Sequence, residues 1–350
     1  MTPFDPGVFF DAVTKQQQEM EKDAEPEKNT FDHLKNLGEL EWLIKGPPSR
    51  KYLFSVNENE GFLPAGKTSM IISPGGCGKT FLLTHCALAA ATGTNWLHTK
   101  ANAPIKVLFI AAEEDESELW IRFYNMSKNL GFHKNPELLS LACKNIIPFA
   151  SRGMCQRLID NKGEPKKYYE DLKSFLSQNE DIKLVILDPA SRFMGAETET
   201  NNAAATDFIT LIDVLTMVGG QPTVLIAHHT NKSALNPVSD DKLPTFSQSF
   251  SRGSSALIDG CRWMLGIQRS ETKNSQRSVF IKVLKSNYSK LGQILEFEQD
   301  YANSGTLKFI GEVTQESIKN RKLDDAWQAA ESHRIAPKTL YNYANKEDDE

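Results

Sequence analysis

Four short runs of almost continuous apolar residues recur along the chain: TSMIIS (68–73), IKVLFIAA (105–112), IKLVILD (182–188) and PTVLIAHH (222–229). A strand with one wet face alternates apolar and polar residues, so unbroken runs require cover on both faces. Helical stretches lie between them. KTFLLTHCALAAAT (79–92) ends at Gly93, a second stretch surrounds ESELWIRFYNMSKNL, and DFITLIDVLTMV (207–218) stops at Gly219 and Gly220. This alternation predicts an α/β fold with a mostly parallel, twisted sheet flanked by helices. ALIDGCRWMLGIQ and RSVFIKVLKSNYS read as further strands, antiparallel in part.

With 350 residues, the chain has room for one large domain with appendages or for two modest domains. The core is expected over 46–312, beginning where KGPPSRKY interrupts any helix. Residues 1–45 form an N-terminal extension, with a polar stretch KQQQEMEKDAEPEKN and then Phe31, Leu34, Leu37 and Leu40 at helical spacing. Residues 313–350 read as two short helices, a polar appendage or a helix-turn-helix. A net charge of −5 excludes a surface coated in positive charge but leaves room for a local basic groove. The five cysteines include no Cys-x-x-Cys pair and read as reduced thiols. The first residues lack a signal-peptide pattern and no apolar run is long enough to span a bilayer, so a soluble, cytoplasmic chain without membrane contact is expected.

Between the first strand and its helix lies SPGGCGKT (73–80), which fits the phosphate-loop pattern Gly-x-x-x-x-Gly-Lys-Ser/Thr except at its first position, occupied by Ser73. That position has to let the strand turn into the loop, which a small serine does. Ser73, Gly75, Gly76, Cys77 and Gly78 are the candidate ATP-binding loop, its glycines allowing N–H groups to converge on phosphate. Lys79 suits the β- and γ-phosphates, and the Thr80 hydroxyl suits Mg²⁺. Asp188 ends the third apolar run at the edge where open α/β sheets bind ligands, as a second Mg²⁺ group or as a cap on the next helix.

Glu113, the first acid after the second run, is the candidate to polarise an attacking water, ahead of Glu114; Asp115 and Glu116 suit the start of the following helix. His228 and His229 end the fourth run on opposite strand faces, so one could report the state of the γ-phosphate. Arg252, in SFSRGSSALIDGCRW, reads either as a surface residue or as an arginine finger acting in cis or from a neighbouring subunit.

With these residues assembled, the chain resembles the RepA-type hexameric replicative DNA helicases of plasmids, within the RecA-like P-loop ATPases. The resemblance runs from about 65 to 292 through SPGGCGKT, AAEED with Arg122, LVILDPASRF, AHHTNK, SRGSSALIDGCRW and KSNYSKLG. It implies ATP and Mg²⁺ as cofactors, with Lys79, Thr80 and Asp188 at the phosphates and metal and Glu113 activating water. It further implies His229, rather than His228, as γ-phosphate sensor, Arg252 as an arginine supplied across a subunit interface, and Lys285 as a second such contact. The implied assembly is a homo-oligomeric, hexameric ring that draws single-stranded DNA through its pore. Pro189 departs from the family pattern, and the terminal extensions, where a replication partner could bind, have no clear counterpart.

Two polar segments follow the third and fourth strands and are candidate DNA loops. SRFMGAETETNNAAAT (191–206) offers Arg192 and Phe193; TNKSALNPVSDDKLPTFSQ (230–248) offers Lys232, equally readable as a solvated lysine, and Phe246. Two other readings fit the same ATP site: a DNA-stimulated RecA-like ATPase that does not unwind, and a regulatory ATP-binding scaffold.

Overall fold

The computed structural model describes residues 34–36, 40–229, 246, 255–269, 278–300, 305–314 and 316–317. The chain divides into two units, Met1–Arg50 and Lys51–Glu350. In the first, the described residues form one short helix, α1 (Trp42–Lys45), with Trp42, Leu43 and Ile44 exposed.

The second unit opens with strands β1 (Tyr52–Asn57), β2 (Glu60–Pro64) and β3 (Thr68–Ser73), then helix α2 (Lys79–Thr92). Strands β4 (Asn95–Trp96), β5 (Thr99–Ala101) and β6 (Lys106–Ala111) lead to helices α3 (Glu116–Asn129) and α4 (Pro136–Asn145). Next come β7 (Ile146–Ala150), α5 (Lys167–Gln178), β8 (Ile182–Asp188), α6 (Asn202–Leu215) and β9 (Thr223–His229). After them stand the short helix α7 (Ser255–Gly260) and strands β10 (Trp263–Arg269), β11 (Ser278–Ser286), β12 (Leu295–Asp300) and β13 (Thr306–Glu312).

The main sheet has the order β13-β12-β11-β10-β3-β9-β8-β6-β7. From β10 to β7 every pairing is parallel, whereas β11, β12 and β13 extend the sheet through antiparallel pairs. Both faces are covered, as the unbroken apolar runs require. Ile71, Phe109, Ile186 and Leu225 pack with α2, while Met70, Leu108, Val185 and Ile226 pack with α5 and α6. Alternate residues of one run thus belong to different cores. The parallel β3, β6, β8, β9 and β10 bring their C-terminal ends to the same edge, where the chemistry-bearing residues lie.

Three local differences from the sequence reading have physical causes. Helix α6 begins at Asn202, within the segment expected to be loop, because the Asn201 side chain accepts from the N–H groups of Ala203 and Ala204 and caps it. ALIDG belongs to helix α7, and the strand expected there starts only at Trp263. Strands β1, β2, β4 and β5 form a separate sheet of order β2-β1-β5-β4. It carries Phe54 and Phe62 against the buried Trp96, whose indole N–H donates to Leu82 O of α2 at 3.2 Å.

His85 of α2 lies inside this packing. Its Nε2 donates to Asn95 O at 3.1 Å, while Nδ1 is buried without a hydrogen-bond partner. Burial lowers its pKa to about 4, partly opposed by the bond to Asn95. Below the solution value of 6.5 the unfolded chain takes up a proton that the folded chain refuses. Stability contributed by this site is therefore lost as pH falls from 6.5 toward 4, on the order of 3 kcal/mol. Thermal melts at pH 7 and pH 5 test this: His85→Gln should show a smaller decline than the parent chain, and an equal decline would refute the role of His85.

Candidate functional site

The phosphate-loop segment 73–80 joins β3 to α2. Gly76 has φ +74° and Gly78 has φ +86°, left-handed values that favour glycine. A Cβ on Gly75 or Gly76 would meet nothing within 4 Å, so the loop's outer face is open to a bulky anion. A Cβ on Gly78 would lie 2.8 Å from Gln299 Nε2 of β12, the movable end of a flexible side chain, so it is the left-handed φ that calls for glycine there. Helix α2 starts with no side-chain cap and no acidic residue in its first turn. Its N-terminal N–H groups and dipole therefore favour an anionic ligand. The Cys77 thiol is buried and its pKa raised by that burial, against the opposing charges of Lys79 and Arg269.

Lys79 is buried, and burial lowers its pKa, opposed chiefly by Asp188 and then by Cys77 and Glu113. Its ammonium donates to Ser73 O at 3.1 Å, Ser73 Oγ at 2.9 Å and Pro74 O at 3.3 Å. It also lies 3.2 Å from His229 Nδ1. An ammonium only donates, so Nδ1 accepts and the imidazole proton sits on Nε2. The parallel register that pairs Ser73 with His229 produces this contact. His228, one residue earlier, is buried and turned to the other face. Ser73 Oγ donates to Pro74 O at 2.9 Å, so the serine at the loop's first position closes the strand-to-loop turn.

Thr80 Oγ1 donates to Asp188 Oδ2 at 2.8 Å. Asp188 is buried; desolvation raises its pKa, with the Thr80 bond and Lys79 opposing and the charges of Glu113 and Glu114 adding to the rise. The peptide between Asp188 and Pro189 is cis. A hydroxyl facing a buried carboxylate is an all-oxygen donor set of the kind a hard cation such as Mg²⁺ takes. The residues present therefore fit both a nucleoside triphosphate and its metal.

The acidic end of β6 is sorted by three arginines. Glu113 Oε1 accepts from Arg192 Nε at 2.9 Å, Glu114 Oε1 from Arg122 Nη2 at 2.7 Å, and Asp115 Oδ2 from Arg152 Nη1 at 3.4 Å. Asp115 also caps α3 by accepting from Glu118 N–H at 3.0 Å. The charge of Glu113 acts on both Lys79 and Asp188, and that of Glu114 on Asp188. Arg122 additionally lies over the Phe81 ring, 5.1 Å from its centroid.

The other sequence candidates fall in different places. Arg192 ends a single 3₁₀ turn, Ala190–Arg192, and its side chain donates to Glu113. Phe193 is 0 % exposed, so the expected stacking aromatic is a core residue: an apolar ring after a strand end is held by the hydrophobic cluster beneath it. Phe246 is likewise partly buried, packed against two hydrophobic clusters. Lys285 Nζ donates to Ile258 O and Asp259 O at 2.8 Å each and so closes the C-terminal end of α7 within its own chain. Its pKa is lowered, mainly by burial. Arg252, Lys232, the segment 230–245, the first 33 residues and the tail from 318 lie outside the described residues.

Sequence reasoning missed Arg269, whose Nη1 donates to Gly76 O at 3.1 Å. The rule that singled out Asp188 finds it: Arg269 is the charged residue closing an apolar strand that runs parallel to β3.

Among the described residues, no helix is long and apolar enough to cross a membrane. A family model described as an AAA domain matches residues 29–234, more than half of the chain. That span includes the phosphate loop, Glu113, Asp188 and His229, which the fold gathers at one sheet edge. The chain belongs to this AAA domain family of P-loop ATPases.

Proposed function

We propose that the protein is an ATP-driven helicase or translocase with a RecA-like core, acting on single-stranded DNA as a ring with ATP sites at subunit interfaces. The observation that carries this reading is the linked cluster of the loop lysine, His229, Thr80 and Asp188, with Glu113 beside it. Strand β9 lies between the strand of the phosphate loop and the strand of Asp188, so His229 bridges the nucleotide edge and the segment that follows it. Such a histidine suits transmission of phosphate state to a DNA-contacting loop.

In this reading the phosphate-loop N–H groups and Lys79 bind the triphosphate, and Glu113 takes a proton from the attacking water. Thr80 and Asp188 would hold Mg²⁺, which would supply charge neutralisation at the phosphates. Arg252 reaches the γ-phosphate of the neighbouring subunit and Lys285 stands beside that interface; six subunits close the ring. Arg252→Ala should lower turnover by about 10³-fold or more while ATP binding largely persists. Normal phosphate release by Arg252→Ala would remove that assignment.

The decisive experiment is strand displacement on a forked duplex with ATP, paired with particle images in ATP and single-stranded DNA. Unwinding by closed rings is the expected result. DNA-stimulated hydrolysis without unwinding would favour the recombination or loading reading, and hydrolysis indifferent to nucleic acid would favour the scaffold.

A further inference from the structure

We infer that Arg269 is a positioning residue of the nucleotide site: its guanidinium holds the middle of the phosphate loop in the shape that receives the β-phosphate, and so sets affinity for ATP and ADP alike. The inference rests on the nucleotide-binding part of the reading above and is independent of DNA and of ring assembly.

The loop is tied down at both ends by its own residues. At the start, Lys79 donates to Ser73 O and Pro74 O, and Ser73 Oγ donates to Pro74 O. At the finish, Gly78 O accepts from the Leu82 N–H at 3.0 Å in the first turn of α2. Between them stand Gly75 and Gly76, where even a Cβ would meet nothing within 4 Å, so side-chain packing cannot restrain the backbone. Glycine has the widest choice of backbone conformation, and a loop left free to use it must be ordered at a cost when the anion binds. Arg269 supplies the restraint, its Nη1 donating to Gly76 O at 3.1 Å.

That bond aims more than a carbonyl. The peptide joining Gly76 to Cys77 is trans, so its C=O and N–H point to opposite sides. Holding the carbonyl toward Arg269 turns the Cys77 N–H back over the loop, and loop N–H groups are what cradle the α- and β-phosphates. The bond therefore acts on the part of the cradle that ADP and ATP share.

Sheet register delivers the arginine to this place. Strand β10 runs parallel to β3 as far as Gly266 opposite Ile72. Strand β3 then ends at Ser73 and turns into the loop, whereas β10 continues to Arg269, which pairs with Val279 of β11. The guanidinium thus starts from a fixed strand end beside the turn. Its charge is felt at the Cys77 thiol, where it opposes the rise in pKa caused by burial.

The test titrates ADP and a non-hydrolysable ATP analogue calorimetrically into the parent chain, Arg269→Met, Arg269→Lys and Lys308→Gln. Methionine keeps much of the apolar stem but has neither charge nor donor. Arg269→Met should weaken both nucleotides by the same factor, roughly five- to tenfold, low in the range of a charged hydrogen bond because the contact is exposed. In steady state KM should rise by that factor with kcat within about twofold of the parent, the mark of binding lost equally from ground and transition states. Lysine restores the charge but not the guanidinium fork and should fall between. Lys308→Gln removes an exposed cation from β13 and should bind both nucleotides as the parent does.

Unchanged ADP affinity in Arg269→Met would overturn the inference. So would a loss confined to the ATP analogue, which would put the guanidinium at the γ-phosphate, or a lowered kcat with KM unchanged. A parent chain that binds neither nucleotide would overturn the ATP reading as well. Should Arg269→Met fail to fold, Arg269→Lys decides: ADP binding roughly two- to threefold weaker is expected, and the parent's affinity would overturn the role.

Discussion

Lys79→Ala is expected to abolish ATP turnover, by about 10²-fold at the least, while leaving the fold in place. The size follows from where the ammonium sits. It is 7 % exposed and, together with the N–H groups of the loop, supplies the charge of the phosphate cradle. An interaction with the β- and γ-phosphates in so dry a site gains much more than it would in water. The fold survives because the turn does not depend on the lysine alone: Ser73 Oγ bonds Pro74 O, and α2 is embedded by Leu82, Leu83, Cys86 and Ala87. Removing a buried cation also relieves its own desolvation, the largest influence on its pKa.

Two further effects should accompany the loss. His229 Nδ1 loses the ammonium 3.2 Å away, so any signal passed from nucleotide to β9 is cut as well. Asp188 loses a cation that opposes the rise in its pKa, and its carboxyl moves further upward. Phosphate release and calorimetric binding of a non-hydrolysable ATP analogue measure the two halves. Turnover within tenfold of the parent chain would mean that this loop is not where ATP is hydrolysed.

The parts of the fold legible in the sequence are those with a physical signature inside a single segment. TSMIIS and IKLVILD match β3 and β8 at both ends, and KTFLLTHCALAAAT matches α2, because burial on both faces and a glycine stop are local properties. Asp188 was found by the same means, as the polar end of an apolar strand. The small sheet escaped notice because β4 and β5 are only two and three residues long and depend on Trp96 for their place. Phe193 was misplaced because an aromatic in a polar segment looks the same whether it stacks on a base or anchors a turn. The pairing of Glu113 with Arg192 was not legible at all. Each residue drew attention separately, as base and as DNA contact, but only the β6–β8 register brings them together.

That separation of Glu113 from its equally acidic neighbour gives the second large effect. Glu113→Gln should lower ATP turnover by about 10²- to 10⁴-fold while nucleotide binding stays near that of the parent chain. Glutamine keeps the shape and the oxygen facing Arg192 but has no basicity with which to take a proton from water. Glu114→Gln should behave differently, because Glu114 is committed to Arg122 at 2.7 Å in a partly buried pair, with Arg122 further held over Phe81. Its expected cost is roughly 1–3 kcal/mol of stability, with turnover reduced far less. Side-by-side measurement of turnover, analogue binding and thermal melting for the two variants decides between them. If the acids have been assigned in the wrong order, Glu114→Gln will be the variant that binds ATP and cannot hydrolyse it.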